Sequence, residues 1–564
     1  MASCPFSRRT ECLTRHLTNS SEQSTEQSLN WMNMGKDPQE LQNVLAKLPN
    51  KISNLDYNIA DHLAGPLQDK KLYPNGWMDV FMDFRRSEIK GQNHVRIAEY
   101  QLQYGGKQGM AANIVVPSLC FGREGPDDSG KRSLPEVTQE VIIGNPTDAA
   151  RIARVHVKKQ PSFTPLFWNS VISTTDNEDW GKQRSHLVSA FLPEGSLSKI
   201  FPVTLERAKF CATRLKEIAD ASPNGFVNMN DFLLYETEAQ LQLALFGMRQ
   251  EFMEETNEKF RQSMGGEIGP MYARQFCDRL IEEVNTVEAS GPVTEGLGCP
   301  VRGPLSDAIR SFEGKGNALK GNAFIFAFAG HDTTGHTLTW LLFELAKNPE
   351  MQRKLQQEVD DFFAKLNGRD MTYKDLTDLK FMTRCVMETL RLWPAVANGT
   401  FREIQFDDSI VGPDGEDILL KKGTYCRINN WSRHRNPDLW GADVNTFNPD
   451  RDWAPEEIWH EEGLRGYNPS TERFSPFTFQ PRDCIGKNFA HMEMRAILCY
   501  LLQSYSFELS PQAAGFDPIK FLGVNYGTMG PQDLSQPDMV KAIPGFGPAK
   551  RRPMGLLARP VPRK

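Results

Sequence analysis

Apolar residues recur at three- and four-residue spacing through most of the chain from about residue 178 to residue 400. That spacing places them on one face of a helix, so it predicts a succession of amphipathic helices. The segments with the clearest pattern are 205–221, 230–248, 270–287, 321–367 and 374–392. A shorter helix is predicted at 147–157, with Thr147 or Asp148 near its N-cap.

Strand patterns lie on both sides of this helical region. Segments 111–122 and 140–146 are apolar and β-branched, and 403–430 alternates around a turn at 413–415. The closing residues from 553 onward predict a last strand and tail. Helices dominate and do not alternate regularly with strands, so the predicted fold class is mainly α (α+β) with small sheets.

The first 36 residues are polar, rich in Ser, Thr and Gln, and without a sustained period. They predict a flexible head, followed by one domain over residues 37–564. The head lacks the apolar core of a secretory signal, and the longest strongly apolar run, 323–329, is far shorter than the ~20 residues that cross a bilayer. We therefore expect a soluble, cytoplasmic chain without a transmembrane segment, with peripheral membrane attachment or organellar import left open.

Charge and cysteine usage narrow the function classes. Lys and Arg total 65 against 71 Asp and Glu, a net charge of -6, which gives no reason to expect a nucleic-acid partner. The 10 cysteines are scattered without a CxxC pair, which argues against a zinc module and for a reducing compartment. At most one or two of these thiols are expected to do chemistry.

Cys484 stands between the loop FSPFTFQPRD and the helix-like run GKNFAHMEMRAILCYLL. The N-terminus of a helix favours an anion, so a lowered pKa is expected for this thiol, and a thiolate is a strong ligand for redox metals. Gly486 leaves room for a flat ligand to approach the backbone. The competing interpretation is a small buried core thiol, which the loop taken alone favours.

Glu388 and Arg391 lie three residues apart on the helical run FMTRCVMETLRLWP. This spacing puts both side chains on one face, where the guanidinium can hold the carboxylate in a bidentate pair. Arg451, in FNPDRDW, is a candidate third member. Taken alone, the pair is also compatible with a routine surface ion pair of little energetic value.

Asp332 and Thr333 form an acid–alcohol pair inside the segment FAGHDTTGHTL. A threonine in mid-helix can donate to a carbonyl of the preceding turn, which loosens the helix and leaves space for water and protons. The competing interpretation is a solvated polar turn, but the apolar flanks predict a buried helix. His331 and His336, five residues apart, do not share a helical face, so we do not expect a metal site made from them.

Trp180 and Arg184, in DWGKQRSHL, are four residues apart and share a helical face. Together they can present an indole N–H and a guanidinium to an acidic group. Packing is the competing interpretation of both side chains.

Taken in order, these motifs resemble those of the cytochrome P450 family of haem-thiolate monooxygenases. The motifs are WxxxR at 180–184, AGHDTT at 329–334, ExxR at 388–391, PDRDW at 449–453 and FTFQPRDCIG at 477–486. Each is weak alone, but their order and spacing match the family from about residue 100 to the end. The resemblance implies a helix-rich fold with small β-sheets, and haem b between the helix of 321–346 and the helix after Cys484.

The resemblance implies a set of cofactor contacts at the matching positions. Cys484 is implied as the axial thiolate ligand of the haem iron. The other implied cofactor-binding residues, on the proximal side, the distal face and at the propionates, are Trp180, Arg184, Ala329, Gly330, Arg402, Phe477, Arg482 and Gly486.

Catalytic and structural roles are implied in the same way. Asp332 and Thr333 are the implied catalytic residues, which deliver protons during oxygen activation. Glu388, Arg391 and Arg451 are implied as a buried structural triad that fixes the scaffold on the cysteine side.

The cysteine loop departs from the family pattern at one position. Where the family has Gly four residues before the cysteine, this chain has Gln480, followed by Pro481. Glycine there allows φ > 0, so either Gln480 adopts that turn at some strain or the loop differs locally. Hydrogen bonding around the sulfur, and with it the redox potential, is expected to differ.

The implied activity is insertion of one atom of O2 into an apolar organic substrate. The substrate is expected among the segments 160–178, 225–265, 321–346 and 395–400. No flavin or iron–sulfur segment is recognisable, so electrons are expected from a separate donor protein, a flavin reductase or a ferredoxin, with Lys487 and the region of Arg473 as candidate contacts.

Two alternatives stay open. One is a haem-thiolate isomerase, dehydratase or peroxygenase that needs no electron partner. The other, from a different class, is a non-catalytic haem-binding sensor. The Asp332–Thr333 pair favours oxygen activation over both, because family members that bypass oxygen activation often lack it.

Overall fold

The structure, a computed structural model, describes residues 57–89, 93–120, 136–161, 167–264, 271–290, 303–310, 312, 317–459, 469–514 and 557–563. The head predicted at 1–36 lies outside the described residues, so its flexibility stays a prediction. None of the helices in the described ranges is long and apolar enough to cross a bilayer.

Amphipathic helices make up most of the described chain, as the hydrophobic spacing predicts. In chain order the α-helices are α1 Trp77–Ile89, α2 Asn93–Tyr104, α3 Pro146–Val155, α4 Asn177–Leu187, α5 Ser198–Ala221, α6 Met229–Gln240, α7 Gln250–Met264, α8 Met271–Ser290, α9 Pro304–Arg310, α10 Ala318–Lys347, α11 Pro349–Leu366, α12 Lys380–Leu392, α13 Asn430–His434, α14 Pro437–Trp440, α15 Lys487–Ser504 and α16 Pro511–Ala514.

Two details of the helix predictions are corrected. The run predicted at 321–367 is two helices, because Pro349 cannot continue α10 and instead occupies the first position of α11. The N-cap of α3 is Asn145, whose side chain accepts from Asp148 N at 3.1 Å, rather than Thr147 or Asp148. Pro146 at the first helical position moves the cap one residue earlier than the motif alone indicates.

The strands form small sheets at the edges of the helical body. In chain order they are β1 Ile114–Cys120, β2 Glu136–Ile143, β3 Val227–Asn228, β4 Thr400–Glu403, β5 Asp408–Val411, β6 Asp417–Leu420, β7 Tyr425–Ile428, β8 Tyr505–Leu509 and β9 Leu557–Pro562. The sheets have the orders β1-β2-β7-β4, β3-β9-β8 and β5-β6, and β2 pairs with β7 in parallel. The strands predicted at 403–430 and near the C-terminus are confirmed.

The long helix α10 runs through the centre of the larger hydrophobic core, where α12 and α15 also pack. Its neighbour α6 continues into a π-helical turn, Leu241–Leu245, that approaches α10 closely. A Cβ added at Gly330 would lie 2.8 Å from Leu241, and one at Gly335 would lie 2.8 Å from Leu234. Glycine at these two positions lets α6 and α10 pack at short range.

Candidate active site

The loop before α15 holds Cys484 by its backbone. Cys484 N donates to Phe477 O at 3.0 Å, and Gly486 is the N-cap of α15. The side chain of Cys484 is exposed, whereas those of Cys211, Cys277, Cys385, Cys426 and Cys499 are buried. Among these six thiols, Cys484 is therefore the one that a ligand can reach.

The electrostatic setting of Cys484 differs from the sequence-based expectation. Burial in the surrounding protein raises the pKa of the Cys484 thiol, and the Lys487 ammonium and the Gly486 N–H lower it by less. The expectation of a lowered pKa is therefore wrong for the protein alone, because burial outweighs both of these contributions. Since the thiol is accessible although protein surrounds it, it faces an internal site.

The turn before the cysteine is made locally, without left-handed backbone at Gln480. Thr478 has φ of 59°, and the Gln480–Pro481 peptide bond is cis. The loop thus differs from the family's glycine turn, which was the second of the two alternatives predicted for it.

Gly486 is not required by its own backbone or by protein packing. Its φ is -86°, and an added Cβ would meet Phe191 at an ordinary 3.7 Å. Glycine is also favoured at an N-cap, so the approach of a flat ligand to this backbone stays a prediction.

Two buried arginines lie beside the cysteine loop without carboxylate partners. Arg402 of β4 is fully buried, and its Nη1 donates to Thr400 Oγ1 at 2.7 Å while Nη2 has no partner. The Arg482 guanidinium stacks on Trp180 at 4.5 Å, and its Nε has no partner. Burial lowers the pKa of Arg402 to about 10 and that of Arg482 to about 9, the latter with help from Arg402.

Lys159 is a third member of this cationic cluster, and the sequence reasoning missed it. Its Nζ donates to Thr400 Oγ1 at 2.8 Å. Burial, followed by repulsion from Arg402 and Arg482, lowers the pKa of Lys159 well below the usual range. Three buried cations without a carboxylate within ion-pair distance, in the described part of the chain, fit a group with two carboxylates such as haem.

Arg184 is held differently from Arg402 and Arg482. It donates to the backbone carbonyl of Asp483 at 2.9 Å and forms an ion pair with the Asp483 carboxylate. Arg184 thereby ties α4 to the residue next to Cys484, and its contact with a propionate stays a prediction.

The structure brings Glu388, Arg391 and Arg451 together. Arg391 Nε and Nη2 donate to the two Glu388 carboxylate oxygens at 2.7 Å each. Arg451 Nε donates to Glu388 Oε1 at 2.9 Å. Arg391 also donates to the carbonyls of His434 and Val444. The cluster is saturated with internal bonds, as a structural role requires.

Lys487 and Arg473, the candidate contacts for an electron donor, are engaged inside the protein. Lys487 pairs with Asp483 at 2.8 Å and is only 8% exposed. Arg473 Nε and Nη2 each donate to Glu457 at 2.7 Å. Neither side chain presents an uncompensated charge to a partner.

On α10, Thr333 Oγ1 donates to Ala329 O at 2.8 Å, as the sequence predicts. Ala329, Gly330 and Thr333 are half-buried within an otherwise buried stretch of this helix. Ala329 and Thr333, at positions i and i+4, share an accessible face, whereas the Cβ position of Gly330 points towards Leu241. Asp332 is buried next to that face.

Residues 315–524 match the family model described as Cytochrome P450. The putative cytochrome P450 CYP13A5 of Caenorhabditis elegans is 34% identical over 203 residues, which are 36% of this chain and 35% of that protein. Human cytochrome P450 4F2 is 34% identical over 236 residues, which are 40% of this chain and 42% of that protein. The matched part is thus well under half the length of these curated relatives.

The crystal structure of a cytochrome P450, CYP102L1, matches 80% of this chain and 91% of its own, with a TM-score of 0.56 and 18% identity. This likeness confirms the predicted helix-rich fold with small sheets. The sequence match to cytochrome P450 proteins thus covers residues 315–524, and the likeness in fold extends over most of the chain. Proteins of this family bind haem b, and the residues around Cys484 fit that cofactor.

Proposed function

We propose that the protein is a haem-thiolate monooxygenase that inserts one atom of O2 into an apolar organic substrate. The observation that carries the proposal is the accessible Cys484 thiol beside buried, carboxylate-free cations. The half-buried face of α10, which includes Thr333 and lies next to Asp332, is where oxygen activation would occur.

The cofactor would be held by the cationic cluster and the cysteine loop. Arg402, Arg482 and Lys159 would bind the propionates, and their burial makes each such contact stronger than in water. Cys484 would bind the iron, with its backbone fixed by Phe477 O. When bound, haem supplies oxygen activation, and the thiolate favours O–O cleavage.

Thr333 and Asp332 would move protons on the accessible face of α10. The Thr333 hydroxyl hydrogen is committed to Ala329 O, so the hydroxyl oxygen can accept a hydrogen bond from water or from a protonated acid. The Asp332 carboxyl is the nearest acid in the sequence, and its burial keeps it from exchanging freely with bulk water. Thr333 would orient the proton, and Asp332 would supply it.

The proposed substrate class rests on the aromatic residues beside this face. The ring centroid of Phe167 lies 5.8 Å from that of Phe324 and 5.7 Å from that of Phe328. The Trp168 ring packs edge-on against Phe324, with 5.8 Å between the centroids. Phe328, half-buried, precedes Ala329 directly. An apolar molecule would be bound there by area burial and ring contacts rather than by ion pairs.

The proposed electron source is a separate protein, a flavin reductase or a ferredoxin. Lys487 and Arg473 are compensated internally, so docking would use other surface charges. Oxygen uptake dependent on NAD(P)H and an added reductase tests this point. Product formed with hydrogen peroxide alone would instead indicate a peroxygenase.

The central test is the carbon monoxide difference spectrum of the reduced protein. The red-shifted band of a thiolate-ligated haem is expected in the parent and absent in Cys484→Ser. Cys499→Ala, which changes a fully buried thiol on α15, is the matched control and should keep the band. A parent without the band, or a Cys484→Ser variant that keeps it, would overturn the proposal.

A further inference from the structure

A buried acid–histidine pair lies where α10 packs against α6. His331 Nδ1 is 3.2 Å from Glu238 Oε2, and the two side chains are 2% and 0% exposed. The same nitrogen lies 2.7 Å from Ala327 O, so it carries a hydrogen and donates it. Gln242 Nε2 donates to the other Glu238 oxygen at 2.7 Å.

Further bonds join this pair to the segment of α10 that carries the acid–alcohol pair. Thr237, next to Glu238, donates to His331 O at 3.0 Å. His336 Nδ1 donates to Asp332 O at 2.7 Å. The backbone on both sides of Asp332 is thus held by side chains, one of which comes from α6.

Other groups near His331 come from the neighbouring helices. Glu493 of α15 lies near Glu238, and α8 places the Cys277 thiol near the same carboxylate. The Phe260 ring of α7 packs against the imidazole at 5.6 Å. Burial raises the pKa of Glu493 well above its usual range and also raises that of Cys277, which favours the neutral form of both groups.

The acids that act on His331 are Glu238 and Asp332. Burial lowers the pKa of His331, but Glu238 and then Asp332 raise it by more, so its pKa lies above the usual value. His336, on the same helix, has a pKa lowered by burial and is the neutral imidazole of the two. His331 thus lies beside two acids that favour its protonated form.

We propose that Glu238 keeps His331 protonated beside Asp332, and that this positive charge sets how readily Asp332 gives up its proton. This inference rests on the proposed function, because Asp332 delivers a proton only in an oxygen-activating enzyme. His331 and Glu238 are positioning residues, since they act on Asp332 rather than on the substrate or the cofactor.

The sign of the effect follows from charge balance. A cation next to a buried carboxyl favours its ionised form, so protonated His331 makes Asp332 a better donor. When His331 is neutral, this electrostatic stabilisation of ionised Asp332 is lost, so Asp332 holds its proton more tightly. Coupled turnover consumes O2, two electrons and two protons to give oxygenated product and one water. When proton delivery slows, the same electrons and protons leave as hydrogen peroxide.

Glu238→Gln is the variant that removes the partner carboxylate while keeping the shape of the side chain. The first readout needs no activity: a titration of 13C-labelled histidines by NMR, with the His331 resonance assigned from a His331→Gln variant. His331 is expected to lose its proton about one pH unit or more earlier in Glu238→Gln than in the parent.

The second readout is the ratio of product to hydrogen peroxide, measured from pH 6 to pH 9. In the parent this ratio falls as pH rises through the raised pKa of His331. In Glu238→Gln this fall in the ratio is expected at lower pH. At pH 8 the ratio should be about tenfold lower than in the parent. Tenfold is the lower end of the losses seen when a residue that orients a functional group is removed. Glu238→Asp keeps the charge and is expected to recover part of both effects.

Glu236→Gln is the matched control on the same helix. Glu236 is equally buried, but it binds Arg207 and Arg214 of α5, away from α10. This variant should leave the His331 titration and the pH profile of the ratio unchanged. If Glu238→Gln does not fold, Glu238→Asp carries the test, with a smaller shift in the same direction.

An unchanged His331 titration in the folded Glu238 variants overturns the inference. A shifted titration with an unchanged product-to-peroxide profile also overturns it, because the pair would then exist without acting on Asp332. Failure of the proposed function is seen separately, as absence of the thiolate band or of reductase-dependent oxygen uptake in the parent. The role at Asp332 would then fall too, while the NMR titration would still show whether Glu238 holds the proton on His331.

Discussion

Two clusters of buried cations lie close to the cysteine loop, and they differ in what compensates their charge. In the first, Arg391 and Arg451 share the Glu388 carboxylate. In the second, Arg402, Arg482 and Lys159 have no carboxylate within ion-pair distance among the described residues. A cluster that is saturated internally holds the fold, and one that is unsaturated is available for an anionic group.

The pKa shifts follow the same division. Burial lowers the pKa of Arg451, but Glu388 and Asp443 raise it by more, so the net shift is upward. Burial lowers the pKa of Arg402 without a carboxylate to offset it. The charged form of an arginine is therefore stabilised in the first cluster and destabilised in the second.

The largest expected effect comes from opening the saturated cluster with Glu388→Gln. The change leaves Arg391 and Arg451 buried without their shared anion, and it should cost about 3–5 kcal/mol of the free energy of unfolding. Urea unfolding of the variant and the parent measures this loss. Glu178→Gln, at an exposed pair with Lys182, is the control and should change the free energy of unfolding by less than about 1 kcal/mol. A loss at Glu388 as small as at Glu178 would show that the triad does not support the fold.

Removing a cation from the unsaturated cluster should instead increase the free energy of unfolding of the haem-free protein. Arg402→Met takes away a buried charge without a carboxylate partner, so the haem-free protein is expected to gain about 1–2 kcal/mol in free energy of unfolding. Haem affinity should fall about 10- to 100-fold, the equivalent of one lost charge-assisted bond. Urea unfolding and haem titration measure the two quantities. Loss of stability without loss of haem affinity would assign Arg402 to the saturated class.

The residues of the two clusters also differ in whether the sequence alone could predict their roles. Glu388 and Arg391 could be found because helical spacing puts them on one face, and Cys484 because its loop has a recognisable pattern. Lys159 carries no such pattern. Its burial arises where the segment after α3, β4 and the cysteine loop meet, which is a property of the tertiary fold.

The same limit applies to His331. The sequence suggested only a metal-ligand role for this residue, and rejected it on spacing. Its partner Glu238 lies on another helix, at a position that local periodicity does not distinguish from its neighbours. Backbone conformation in the turn at 478–481 could not be predicted either. The sequence indicated that Gln480 was unusual, but Thr478 is the residue with the positive φ.

A smaller effect is expected in the pH dependence of the unsaturated cluster. Because the pKa of Lys159 is lowered in the folded protein, the unfolded chain binds more protons between that lowered value and the ordinary 10.5. The free energy of unfolding of the haem-free protein should therefore rise with pH across this window. Lys159→Met should remove that part of the slope, which a comparison of urea unfolding from pH 7 to pH 10 measures. An equal slope in both proteins would mean that the pKa of Lys159 is not lowered, so that Lys159 stays charged in the cluster over this range.

The smallest expected effect concerns Arg184, which the family pattern assigns to the propionates and the structure places on Asp483. Arg184→Lys keeps the charge but loses the fork that binds the carbonyl and the carboxylate together. If Arg184 acts mainly by holding the cysteine loop against α4, haem affinity should change by less than about threefold, because the unsaturated cations still bind the propionates. Haem titration of the variant, with Arg482→Lys as the matched change one residue before Asp483, separates the two roles. Arg482→Lys should weaken haem binding at least as strongly as a lost charge-assisted bond. Equal losses in the two variants would place Arg184 with the unsaturated cluster.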